Sequence, residues 1–181
     1  MIKNVLCIGK NEINYSINLQ KYHFVLEYAY FKKKKISNGT LAAIVVLTLI
    51  IADHLLKIWV KTSFRLGESM PWADWAELYF IENPGMAFGI ELGSKLFLTL
   101  FRIIASAALV YFLFRIRKDD RYTKGFVVCM SLITAVDIGN VIDCMFYGMV
   151  FSESSPLAVA QLFPDGGGYA SFLHGRVVDM F

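Results

Sequence analysis

Three stretches of this chain are long and apolar enough to demand a hydrocarbon solvent. They are "NGTLAAIVVLTLIIADHLLKIWV" (38–60), "KLFLTLFRIIASAALVYFLF" (95–114) and "GFVVCMSLITAVDIGNVIDCMFYG" (125–148). Each reaches the roughly 20 residues that cross a bilayer core. Each connection returns the chain from the side on which the preceding span ended, so consecutive spans are antiparallel. The fold class expected is therefore an α-helical integral membrane protein, an antiparallel transmembrane bundle with three spans. Composition agrees: 56% of residues are apolar and only 18% charged, unusual for a soluble domain.

Charge then orients the spans. Lys32, Lys33, Lys34 and Lys35 precede the first, and Arg115, Arg117, Lys118, Arg121 and Lys124 fill the connection between the second and third. The positive-inside rule puts both flanks in the cytoplasm. Segment 61–94 carries Lys61 and Arg65 against five acids, and 149–178 carries Arg176 against Glu153 and Asp165, so both belong outside. The division that follows is a cytoplasmic leader (1–37), first span (38–60), outer segment (61–94), second span (95–114), cytoplasmic loop (115–124), third span (125–148) and outer segment (149–181). The leader holds seven Lys against two Glu, which serves topology; nothing resembles a nucleic-acid module. Cys7, Cys129 and Cys144 show no metal spacing, and the sequon "NGT" (38–40) beside an inner span end reads as chance.

A charge at the centre of a span costs about 2.5 to 3.5 kcal/mol, so each one needs a reason. Asp53 and Lys57 lie four apart on one helix face, either an interfacial ion pair or the brace of an outer site. Arg102 and Asp137 fall at about the same depth, by the helical rise of about 1.5 Å per residue, and are expected to pair across the bundle. Asn140 and Asp143, three apart with Gly139 beside them, suggest a polar site at the outer end of the third span.

In the first outer segment "AELYFIENPGMAFGI" suggests a short strand, a turn at Pro84 and Gly85, and a resumed alternation at Met86, Phe88 and Ile90. A small extramembrane β-sheet follows. Segment 149–178 is expected to be irregular, with Gly166 to Gly168 a flexible connector and His174 a surface or packed residue. Asp179 closes "GRVVD" at the return to the membrane. Asp143 and Asp179 thus offer two carboxylates at the outer surface that could share a proton for amide hydrolysis.

The blocks "DHLLK" (53–57), "ENPGMAFG" (82–89), "GNVIDCMFYG" (139–148) and "GRVVDMF" (175–181), in this order, resemble the bacterial lipoprotein signal peptidases, or signal peptidase II, particularly members from the Bacteroides group. The resemblance implies an inner-membrane aspartic endopeptidase of four spans that cuts the signal peptide from a diacylglyceryl-modified prolipoprotein, with membrane lipid around it, a monomeric state and no cofactor. It makes Asp179 the first catalytic acid and Asp143 a supporting acid, which revises the pairing of Asp143 with Asp179. Asn83, Asn140, Asp53 and Lys57 match substrate-contacting or site blocks, and Arg176 in the closing block joins them as a substrate-binding candidate. His54 stands for a usual Gln, Cys144 for a frequent Arg, and Val136 and Asp137 for the small residues of the family's helix-packing run before "GN", which puts close packing of the third span in doubt. The second catalytic aspartate, in a block "FNxAD" opening a fourth span, is missing from this sequence. A C-terminally truncated, poorly stable and inactive chain is the expectation; the other reading is a non-catalytic membrane protein that binds lipoprotein precursors.

Overall fold

A computed structural model describes residues 36–84 and 95–180. The leader through residue 35 and the alternation at Met86, Phe88 and Ile90 lie outside the described residues. In chain order the elements are α1 (Asn38–Ser63), β1 (Ser69–Ala73), β2 (Ala76–Asn83), α2 (Lys95–Ile116), α3 (Lys124–Ile142), a π-helical turn (Asp143–Tyr147), the short α4 (Gly148–Val150) and β3 (Val177–Met180). Three helical stretches, Asn38–Ser63, Lys95–Ile116 and Lys124–Val150, are long and apolar enough to cross a membrane. The chain is a multi-pass helical membrane protein with a small antiparallel sheet.

The bundle is built inside out relative to a soluble one. The residues α1 buries are Asn38, Ala42, Lys57, Val60 and Lys61; α2 buries Thr99, Ser106, Leu113 and Ile116; α3 buries Val127, Ser131, Thr134, Ala135, Gly139 and Val141. Large side chains such as Leu47, Ile51, Phe101, Ile104 and Ile133 point outward. Lipid solvates Leu and Ile as well as a protein core does, so small and polar residues take the helix interfaces. Val136, 61% exposed, points away from the bundle and leaves α3 free to pack on α1 and α2.

At the basic end, Asn38 ties the start of α1 to the α2–α3 connection. Its Nδ2 donates to the carbonyls of Asp119 at 2.9 Å and Tyr122 at 3.4 Å, and its Oδ1 accepts from Lys124 Nζ at 2.7 Å. The asparagine of "NGT" is thus a buried tie. Asn38→Ala strands two loop carbonyls and is expected to lower stability by about 1 to 3 kcal/mol, measured by unfolding in mixed micelles; Thr123, which caps α3 through the Phe126 amide, limits the loss to the loop.

At the opposite end α3 widens into the π-helical turn, a form that leaves main-chain carbonyls available to outside donors. The incoming chain uses them: Gly175 N donates to Cys144 O at 2.9 Å, Leu173 N to Met145 O at 3.3 Å and Ala170 N to Gly148 O at 2.8 Å. The triple glycine is therefore no slack connector. Gly167 sits at φ 84°, where glycine is at home, and a Cβ on Gly168 would run into the backbone of Gly148 and Met149. Gly168→Ala is expected to cost several times the ~1 kcal/mol of an ordinary substitution, visible as a lowered melting temperature, whereas Gly166→Ala, with open space around it, leaves stability unchanged.

The irregular segment ends in a strand that the sequence reading did not anticipate. The sheet has the order β1-β2-β3, both pairs antiparallel, with Phe80, Ile81, Glu82 and Asn83 opposite Met180, Asp179, Val178 and Val177. Alternation sorts the two faces. Phe80 and Val178 join Val60, Phe64, Tyr147, Phe151 and Ala160 in the core under the sheet, while Ile81, Asn83 and Asp179 share the other face.

Candidate active site

The site forms where that face meets the ends of α1 and α3. Asn83 and Asp179 are diagonal neighbours on adjacent strands, and the Asn83 side chain hydrogen-bonds the Asp179 carboxyl. Asp179 is half-buried. Burial lifts its carboxyl above the usual aspartate range, opposed by the charges of Lys57 and Arg102 and by the Asn83 hydrogen bond. A raised value in the folded chain means that Asp179 adds stability below the ordinary aspartate value and that this is lost as pH rises through the folded value. Asp179→Asn imitates the neutral acid. Its melting temperature relative to wild type is therefore expected to climb as pH rises above the ordinary aspartate value of about 4; a constant gap would contradict the environment described.

Lys57 is the hub behind Asp179. Its Nζ donates to Asp143 Oδ2 at 2.7 Å and to Asn140 Oδ1 at 3.2 Å, and lies 2.9 Å from Asp53 Oδ2, an ion-pair distance without hydrogen-bond alignment. Three oxygens thus surround an ammonium with three N–H groups. Asp53 reaches it because position 139 is glycine: a Cβ there would stand 2.6 Å from Asp53 Oδ2. Asn140 and the Oδ2 of Asp143 thus have partners, whereas the buried Asp143 Oδ1 has no hydrogen-bond partner among the described residues. Asp143 is fully buried, and its Oδ2 also accepts the Val178 amide at 3.2 Å, so this acid fastens β3 to α3 directly beside Asp179. On the far side of Asp143, His54 Nδ1 lies 3.7 Å from Oδ1 and 2.9 Å from the Tyr147 hydroxyl.

Arg102 and Asp137 do not pair. Asp137 takes the hydroxyl of Ser106, and Arg102 Nη1 donates to Cys144 Sγ at 3.3 Å. Equal depth was the basis for expecting a pair, and helix rotation, which depth does not report, sends the two side chains to different partners. The Asp137–Ser106 bond is an interhelical polar contact of the kind that holds membrane bundles together.

Arg176 stands at the rim of a second polar cluster that sequence reasoning missed. Lys61, fully buried, pairs with Glu82 and donates to Ser154 Oγ at 2.8 Å, and Ser154 Oγ donates to Glu82 Oε1 at 2.6 Å. Arg176 reaches Glu82 at 3.3 Å and Glu153 at 2.9 Å, and lies over the Tyr169 ring at 5.2 Å. The Tyr169 hydroxyl accepts the Arg176 amide at 2.7 Å, and burial pushes this phenol up to about 12, so it stays neutral. A signal was available: Asp53, Lys57 and Lys61 form an i, i+4, i+8 polar stripe on an otherwise apolar helix. His174 makes only local contacts, with Phe172 O at 2.9 Å and Ser171 Oγ at 3.2 Å.

Chemically, the arrangement presents one partly accessible carboxyl, an amide beside it and a fixed ammonium behind it. Among the described residues no second carboxylate is free to share a proton with Asp179, since Lys57 holds both Asp53 and Asp143.

Residues 45–181 match the family model described as signal peptidase (SPase) II. The lipoprotein signal peptidase of Porphyromonas gingivalis is 51% identical over 147 residues, which cover 81% of this chain and 65% of that protein. The lipoprotein signal peptidase of Amoebophilus asiaticus is 32% identical over 142 residues, covering 75% and 56%. A solved chain described as a bacterial membrane enzyme is 30% identical, with a TM-score of 0.47, over 56% of this chain and 61% of its own. This chain thus spans 65% and 56% of the lengths of the two relatives. With the matched region running from within α1 through the sheet and Asp179, the chain belongs to the signal peptidase II family.

Proposed function

We propose that this chain carries the substrate-binding half and the first catalytic acid of an aspartic endopeptidase that removes signal peptides from diacylglyceryl-modified prolipoproteins. The observation that supports this most is the placement of Asp179: half-buried at the junction of sheet and bundle, hydrogen-bonded by Asn83 and backed by the Lys57 hub. In the reaction one carboxylate takes a proton from water as its oxygen attacks the scissile carbonyl carbon. The protonated partner donates to the carbonyl oxygen, and collapse breaks the C–N bond with a proton passing to the leaving amine. Asp179 is one member of that pair. Asn83 and Asn140 are placed to contact the substrate backbone; Asp53, Lys57 and Asp143 hold the wall against which it lies, and Arg176 lies at its rim.

The proposed setting is the bacterial inner membrane, with the basic ends of the spans in the cytoplasm and the sheet and Asp179 outside, surrounded by lipid and acting as a monomer. The leader to residue 37, the outer segments at 61–94 and 149–181 and the cytoplasmic loop at 115–124 divide the chain in the same sense. The second carboxyl of the pair is that of the family block "FNxAD".

The test uses the polypeptide 1–181 in lipid with a synthetic diacylglyceryl-modified prolipoprotein peptide. Alone it is expected to bind without cutting. With a polypeptide carrying the family block "FNxAD" and its span co-expressed, cutting before the lipidated cysteine is expected, and Asp179→Asn abolishes it. Absence of binding in both preparations overturns the proposal; binding that never leads to cutting favours a non-catalytic binder of lipoprotein precursors.

A further inference from the structure

Arg102 lies within α2, in the half nearer Lys95, and its position calls for an anion. A guanidinium carries five N–H donors, and an ionisable group inside a span persists where it has a partner or a task. Its contact with the Cys144 thiol, a weak acceptor, meets little of that demand. Among the described residues Arg102 has no carboxylate at ion-pair distance, because Asp137 turns to Ser106.

The thiol it touches belongs to the π-helical turn that receives the chain leading into β3. Cys144 follows Asp143, whose carboxylate binds the Val178 amide, and the Cys144 carbonyl accepts the Gly175 amide at 2.9 Å. The guanidinium is therefore delivered to the turn on which β3, with Asp179, is mounted. The charged and polar groups acting on Asp179 are Lys57 and Asp53 from α1, Arg102 from α2 and Asn83 from β2, while Asp143 of the π-helical turn binds the neighbouring Val178 amide. Lys57 is committed to three oxygens. Arg102 is the cation of this set with donors left.

We propose that Arg102 is a positioning residue for Asp179, bringing from α2 to the Cys144 end of the site a positive charge that acts on the catalytic carboxyl. This deepens the peptidase reading and rests on it for the role of Asp179. Its charge does oppose the upward pull of burial on the Asp179 carboxyl.

The test is a carboxyl titration of 1–181 in lipid nanodiscs, with carbon-13-labelled aspartate and Asp179→Asn to assign the signal. Arg102→Gln keeps an N–H for the Cys144 thiol and removes the charge. It is expected to raise the Asp179 midpoint by about one unit, as loss of a nearby opposite charge does. Arg102→Lys should keep the wild-type midpoint, and Arg102→Gln with Cys144→Arg should restore it, since a side chain at 144 can place a cation where Nη1 now lies. An unchanged midpoint in Arg102→Gln overturns the proposal. If that variant does not fold, the single Cys144→Arg variant decides: a second cation there lowers the midpoint, and an unmoved midpoint overturns the coupling. Because titration needs no turnover, a shifted midpoint with cutting unaffected by Asp179→Asn would sink the peptidase reading and leave the coupling standing.

Discussion

Lys57→Met is expected to destabilise the protein by about 3 to 5 kcal/mol, the cost of leaving a buried charge without its partner. Here one ammonium serves two carboxylates and an amide. Its removal strands Asp143, fully buried, and Asp53 beside Gly139. Asp143 must then either take up a proton or draw in water, and in both cases its grip on the Val178 amide weakens. The expected result is a large fall in unfolding free energy in mixed micelles together with faster hydrogen exchange at the Val178 amide. Lys57→Met combined with Asp143→Asn should recover part of the stability, because a neutral amide needs no counter-charge. A single-variant loss below about 1 kcal/mol, typical of an exposed pair, would mean that water screens the hub and that β3 is held by other contacts.

Lys61→Met is expected to have an effect of similar size by a different route. Lys61 and Glu82 are buried partners beneath the sheet, with Ser154 bridging them and the Phe151 ring 5.3 Å from the ammonium. Without Lys61 the Glu82 carboxylate retains only Arg176 at 3.3 Å and the Ser154 hydroxyl. The loss again falls at about 3 to 5 kcal/mol, but the damage is to the docking of β2, so Asn83 loses its alignment with Asp179. Lys61→Met with Glu82→Leu should return near wild-type stability, since an apolar pair of similar volume often replaces a buried ion pair without loss. If the double variant is as unstable as the single one, the pair acts through register and not through charge balance.

The two lysines show how far the sequence could be read. Asp53 and Lys57 were legible as a pair because helical spacing alone puts residues four apart on one face. Lys61 continues the same stripe, but its partner Glu82 lies 21 residues on in a different element, and no local rule joins them. Asp179 could be singled out as an acid after two β-branched residues, yet its strand was not anticipated. A four-residue strand has too few positions to show a period, and it exists because β2 offers an open edge and Asp143 receives its backbone. The same limit explains Arg102: depth follows from counting residues, whereas rotation about the helix axis is set by what the neighbouring helices present.

The sequence by itself determined the spans, the strand before Asn83, the Asp53–Lys57 pair and, through four ordered blocks, the family. Each depends on covalent spacing, on the cost of polar groups in hydrocarbon, or on identity of residues. Tertiary structure decided that Asp143 fastens β3, that Gly166 to Gly168 lead into a close backbone contact, that Arg176 belongs to an ion cluster and that Arg102 turns toward Cys144. These are choices among partners equally available to the unfolded chain. Such choices are made by packing, which closes some distances and excludes the rest.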